Sequence, residues 1–189
     1  MSECKFFIRG ASNMTTETEL KKLAEDGKLA FEARQYQNAV SIFGNAANGY
    51  ASLHDEVNAA EMKNNLSVAL LKTGQAQAAL DAAHGTEDVF IRVGDLKRQG
   101  VAMGNQAAAL EALKRFDEAL AAYERSADFF AEAGEGDLRA MVLKSAAGVK
   151  LKRGQVTDSA FRMIGSLEAK DKPSIFERIL KFLVRFVQR

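Results

Sequence analysis

Tryptophan is absent from the 189 residues, and proline and cysteine occur once each. A single cysteine, Cys4, rules out an intrachain disulfide, so packing must hold the fold, and a reducing compartment is expected. A single proline, Pro173, leaves long stretches free of helix breakers. The only histidines, His54 and His84, form no His-x-x-x-His pair and lie far from Cys4, so no metal site is signalled. They read as exposed loop or helix-end residues. No glycine-rich phosphate cradle is present, and nothing singles out a nucleophile, base and acid, so neither a catalytic residue nor a cofactor is expected. Long hydrophobic runs are missing too. Phe6-Phe7-Ile8 falls short of a signal-peptide core of about 7–15 residues, and nothing approaches the roughly 20 residues of a membrane span. Charge of one sign is not in excess, with 26 basic against 25 acidic residues, which gives no reason to expect nucleic acid as a partner. A soluble cytoplasmic protein is the expectation.

What the chain does have is alanine and a period. Hydrophobic residues make up 47% of it, enough for a core, and alanine lets helix axes approach closely. Every fortieth position from Gly27 reads Gly27, Ser67, Ala107, Ala147. A second small column is Ala39, Ala79, Ala119, Ser159. Apolar columns read Tyr36, Ala76, Phe116, Val156 and Phe43, Ala83, Tyr123, Met163, and Tyr50, Phe90, Phe130 form an aromatic one. Such agreement at one period marks an internal repeat. Each unit reads as two helices meeting at a short polar turn, at 33–35, 73–75, 114–115 and 153–155. First helices are expected at about 16–33, 56–73, 95–113 and 137–152, and their partners at about 36–52, 76–92, 116–133 and 155–169. Asp95-Leu96 and Asp137-Leu138 stand 42 residues apart, which suggests a longer loop at Gly134–Gly136.

The stretch Ala107, Phe116, Ala119, Tyr123 resembles the tetratricopeptide repeat family, whose pattern is a small residue, an aromatic nine positions on, alanine three beyond and another aromatic four further. Gly27, Tyr36, Ala39 and Phe43 fit nearly as well. The period is longer than the family's usual one and is similar to that of kinesin light chains and polarity adaptors. The resemblance covers residues 16–169, with units at 16–55, 56–94, 95–136 and 137–169. It implies an all-α, right-handed superhelical solenoid of four helix-turn-helix repeats. Ala76, Ala83 and Ser159 depart from the pattern, so the second and fourth units are expected to pack less tightly. In the family, the column holding Asn65, Asn105 and Ser145 faces a concave groove and bonds the backbone of an extended ligand. Asn64 and Lys144 share the neighbouring column and are expected to line the same groove. Asparagine is a poor helix residue, so its recurrence needs a reason: ligand binding, solvent exposure or an interhelix hydrogen bond. The basic residues that clamp a carboxyl terminus in chaperone-binding members are not reproduced.

The two ends stand apart. Residues 1–15 read as disordered, Met14 offers an alternative start, and Thr16 with Glu19 forms a capping box. After Lys170–Pro173, Ser174 and Glu177 cap a final amphipathic helix over 174–189. Ile175, Phe176, Ile179, Leu180, Leu183, Phe186 and Val187 share one face, Glu177, Arg178, Lys181, Arg185 and Gln188 the other, and Phe182 the boundary. Such a stripe must be buried, either as a cap on the last repeat, by self-association, or at an anionic membrane surface on the inner face. The sequence therefore points to a non-enzymatic scaffold, monomeric by preference, that holds a protein or peptide partner. The alternative is a peripheral membrane or self-assembling protein placed by its tail.

Overall fold

The computed structural model describes the backbone of residues 9–168 and the side chains of residues 17–154. Among the described residues every regular element is helical: α1 (Arg9–Glu32), α2 (Tyr36–Ser52), α3 (Glu56–Lys72), α4 (Ala76–Ala83), α5 (Thr86–Arg92), α6 (Leu96–Ala112), α7 (Phe116–Glu132) and α8 (Gly136–Glu168). The chain divides into two compact units, residues 1–146 and 147–189. In the first, α2 packs on α1, α3 on α2, α4 and α5 on α3, α6 on both of these, and α7 on α6, while α3 also meets α6. The described part of the second unit is the helical stretch 147–168.

The period is set by the turns. Arg34, His54, Gly74, Gly94, Lys114 and Gly134 all have left-handed backbones, with φ between 59° and 78°, and they recur every twenty residues. Each is the middle residue of a three-residue turn, and α2, α3, α6 and α7 each run for 17 residues between turns. The hydrogen bonds repeat as well. Gln35, Asp55, Gln75, Asp95, Arg115 and Glu135 each donate a backbone N–H five residues back, at 2.8–3.0 Å. The residue before each donates three residues back, as at Arg34 to Phe31 (3.0 Å) and Lys114 to Glu111 (2.9 Å). This paired pattern is the Schellman termination, which satisfies the last carbonyls of one helix while turning the chain into the next. Glycine enters it freely; Arg34, His54 and Lys114 do so at about 1–2 kcal/mol each. After two of the turns, Asp55 and Asp95 cap the next helix by accepting from Asn58 N (3.0 Å) and Arg98 N (2.8 Å).

The longer loop expected at Gly134–Gly136 is not there. Gly134 falls on the beat and α8 starts at Gly136, forty residues after the start of α6 at Leu96. Glu135 stands where Asp95 stands one repeat earlier, and Asp137 is a first-turn residue of α8 rather than its cap. α1 likewise begins at Arg9 and runs through Thr16, so the expected capping box is not a helix start.

The fourth unit departs from the expected hairpin. Position 154 is next on the beat, yet Gly154 is helical and α8 continues through residues 153–155. A Schellman turn is sustained when the following helix returns a large side chain to the core. The aromatic column that reads Tyr50, Phe90 and Phe130 becomes Lys170 in the fourth unit, so the local gain from turning is missing. Continuing the helix keeps its backbone groups bonded.

The small columns are where helices meet. Ala39, Ala79 and Ala119 have no exposed surface, nor do Ser67 and Ala107. A Cβ on Gly27 would lie 2.6 Å from the Phe43 ring, and one on Gly100 would lie 2.7 Å from the Phe130 ring. Phe43, Tyr50, Phe90, Tyr123 and Phe130 are buried as the columns require. In the second repeat Ala83 and Phe90 are fully covered. Its second helix is broken instead: Gly85 is left-handed (φ 76°) and separates α4 from α5. The Thr86 hydroxyl donates to the Ala83 carbonyl at 2.7 Å and lies 3.1 Å from Asn64 Oδ1, so the break is closed by a buried polar pair.

Candidate functional site

First helices α3, α6 and α8 each carry one member of the polar column, and their environments differ. Asn65 is half-buried and has no hydrogen-bond partner among the described residues, so its amide is left to water or a ligand. It lines a hollow of about 190 Å³ with Phe31, Phe43 and Val68, flanked by Lys28 and Glu32. Asn105 is half-buried, and its Nδ2 donates to the Asn64 carbonyl through a long contact of 3.5 Å. Ser145 returns its hydroxyl to the Met141 carbonyl at 3.3 Å. Asn105 and Ser145 line a second hollow, of about 220 Å³, walled by Val101, Tyr123, Met141 and Val142. Asn65 and Val68, or Asn105 and Ala108, are three residues apart and so are neighbours on their helix.

The neighbouring column behaves otherwise. Asn64 is buried, with its side-chain oxygen against Thr86, and belongs to the interhelix joint. Closed in by Thr86, the Asn64 amide is not open to a ligand. Lys144 is exposed. The structure thus brings Asn105 and Ser145 into one hollow, puts Asn65 in another, and leaves Lys144 at the surface. Phe176, Arg178, Lys181, Phe182, Arg185 and Phe186 lie outside the described residues, as do the first eight.

The remaining polar contacts hold the repeats in register. Gln106 Nε2 donates to the Ala83 carbonyl (3.3 Å) and to Glu87 (2.6 Å), which ties α6 to both halves of the broken helix. Arg98 donates from Nε to Asp95 (2.6 Å), reaches Glu61 at 3.5 Å and lies over the Phe90 ring at 5.0 Å. The Arg98 backbone N–H, with its guanidinium, holds the Asp95 carboxyl below the usual carboxylate range. Tyr123 donates to Glu111 at 3.0 Å, and burial, reinforced by that carboxylate, pushes its phenol well above the ordinary tyrosine range. The phenol therefore stays protonated and serves as a hydrogen-bond donor rather than a base. Among the described residues no cluster of three or more His, Cys, Asp or Glu could hold a metal, and no helix is long and apolar enough to cross a membrane.

Compared with known proteins, no family model matches the chain, and no curated protein matches it.

Proposed function

We propose that the chain is a tetratricopeptide-like interaction module, a right-handed helical solenoid that holds a peptide or helix of a protein partner along the face formed by α1, α3, α6 and the start of α8. The observation that carries this reading is the pairing of the polar column with the hollows. Half-buried amides Asn65 and Asn105 recur forty residues apart, each beside a small hollow with an apolar wall. Side chains of a partner segment fit hollows of that size, while the amides bond its backbone, which gives affinity with modest demands on partner sequence. Asn65 supplies the more open group, since Asn105 is in part engaged with the α3 backbone.

The test is affinity capture with the intact chain beside the Asn65→Ala, Asn105→Ala double variant. Both residues sit in helices, where alanine is favoured by about 0.5 kcal/mol over asparagine, so the melting temperature should hold or rise slightly. A captured partner that weakens by about tenfold or more supports the proposal. Retained capture together with a lower melting temperature would assign the amides to the fold.

A further inference from the structure

The two histidines, thirty residues apart in sequence, line a single hollow. At about 330 Å³ it is larger than either hollow on the Asn65 and Asn105 face, and it falls at the lower end of ligand-pocket sizes. It exists because of two local features. The left-handed turn at His54 sets that residue at the start of α3, and the break at Gly85 sets His84 beside it. The rim carries His54, Lys63, His84 and Arg92, and Glu56 is the one acidic member of the lining. Glu56 is paired with Arg92 at 2.6 Å, but both side chains are more than half exposed (69% and 57%), so water screens the pair and a ligand can compete for the guanidinium. Lys63 is exposed and has no ion-pair partner among the described residues. Ala51, Ala59, Ala60 and Val89 add apolar surface to the lining, and Gly85 and Thr86 complete it.

We propose that this hollow is an anion-binding site for a small organic phosphate or carboxylate, with the oxyanion at Lys63 and the imidazoles and an apolar body against Ala60 and Val89. Two features support this ligand class. The basic groups outnumber the acid, and imidazole and ammonium together donate to an oxyanion from several directions. A bound divalent metal is disfavoured, because the described residues include no third His, Cys, Asp or Glu ligand grouped with the histidines. The proposal is independent of the interaction reading, as it uses none of the residues on the Asn65 and Asn105 face.

Because the chain has two histidines, their two imidazole Hε1 resonances form a two-signal reporter confined to this hollow. The experiment titrates the full chain at fixed pH and ionic strength with phenyl phosphate, inorganic phosphate and phenol. Phenyl phosphate should move both signals saturably. Inorganic phosphate should do so more weakly, because it has no ring to place against Ala60 and Val89. Phenol should move neither. Lys63→Gln should weaken phenyl phosphate by about tenfold with an unchanged melting temperature, whereas Lys72→Gln, at the far end of α3, should change nothing. Shifts that rise linearly with concentration, movement of one signal alone, or equal affinity in Lys63→Gln would overturn the site. Equal affinity for both phosphates would overturn its apolar half.

Discussion

Gly27 and Gly44 offer a direct test of how the helices meet. Both are interior to helices of the first repeat, so replacement by alanine gives each the same intrinsic gain of about 1 kcal/mol. Their surroundings are opposite. A Cβ at Gly44 meets nothing within 4 Å, whereas one at Gly27 would lie 2.6 and 2.8 Å from two ring atoms of Phe43 and 3.1 Å from Ile42. Phe43 is only 2% exposed, so its ring can retreat only toward the hollow it lines with Asn65. The difference between the two variants cancels helix propensity and isolates the cost of overpacking, about 1–3 kcal/mol. Gly44→Ala should therefore be slightly more stable than the parent. Gly27→Ala should fall below Gly44→Ala by that margin, or by about 2–10 °C in melting temperature. Urea and thermal melts followed by circular dichroism read both. If Gly27→Ala matches Gly44→Ala, the small column is not a tight interface.

Other expectations follow from single contacts. Thr86→Val keeps shape but leaves Asn64 Oδ1 and the Ala83 carbonyl without the hydroxyl, so denaturant melts should show a loss of about 1–3 kcal/mol. Gly94→Ala forces a left-handed alanine into a Schellman turn (φ 69°) and should cost about 1 kcal/mol by the same measurement. Asp95→Ala removes the α6 cap, for about 0.5–2 kcal/mol at neutral pH. Because the folded Asp95 pKa is lowered, its contribution is present above the ordinary carboxylate pKa and is lost as pH falls through the lowered value. The gap between parent and Asp95→Ala should accordingly narrow in acid, and a gap that stays constant with pH would contradict the pairing with Arg98.

Much of this fold is legible in the residues because the columns that define it are steric. Gly27, Ala39, Ala79 and Ala119 are small where backbones meet, and Tyr50, Phe90 and Phe130 are large where the core needs filling, so one period locates the helices of the first three repeats, though not the unbroken α8 of the fourth. The turns are harder to read, because Arg34, His54 and Lys114 adopt the left-handed conformation without being glycine. The matching pair Asp95 and Asp137 misplaced the last loop, since Glu135 and not Asp137 follows Gly134 on the beat. The break at Gly85 is invisible to a column comparison, as the flanking Ala79 and Phe90 remain on their columns. Asn64 and Asn65 illustrate the limit at the site. Adjacent in sequence and identical in type, they point a helical step apart, so one is buried against Thr86 while the other is left open. The hollow that joins His54 to His84 depends on the Gly85 break and is legible only once that break is known.

The most direct measurement is site-specific photo-crosslinking of the captured partner. Benzoylphenylalanine in place of Asn65 should capture it, and the same group in place of Gln77, exposed on α4, should not. A partner that crosslinks from position 77 and not from position 65 would contradict the assignment of the Asn65 and Asn105 face as the binding surface.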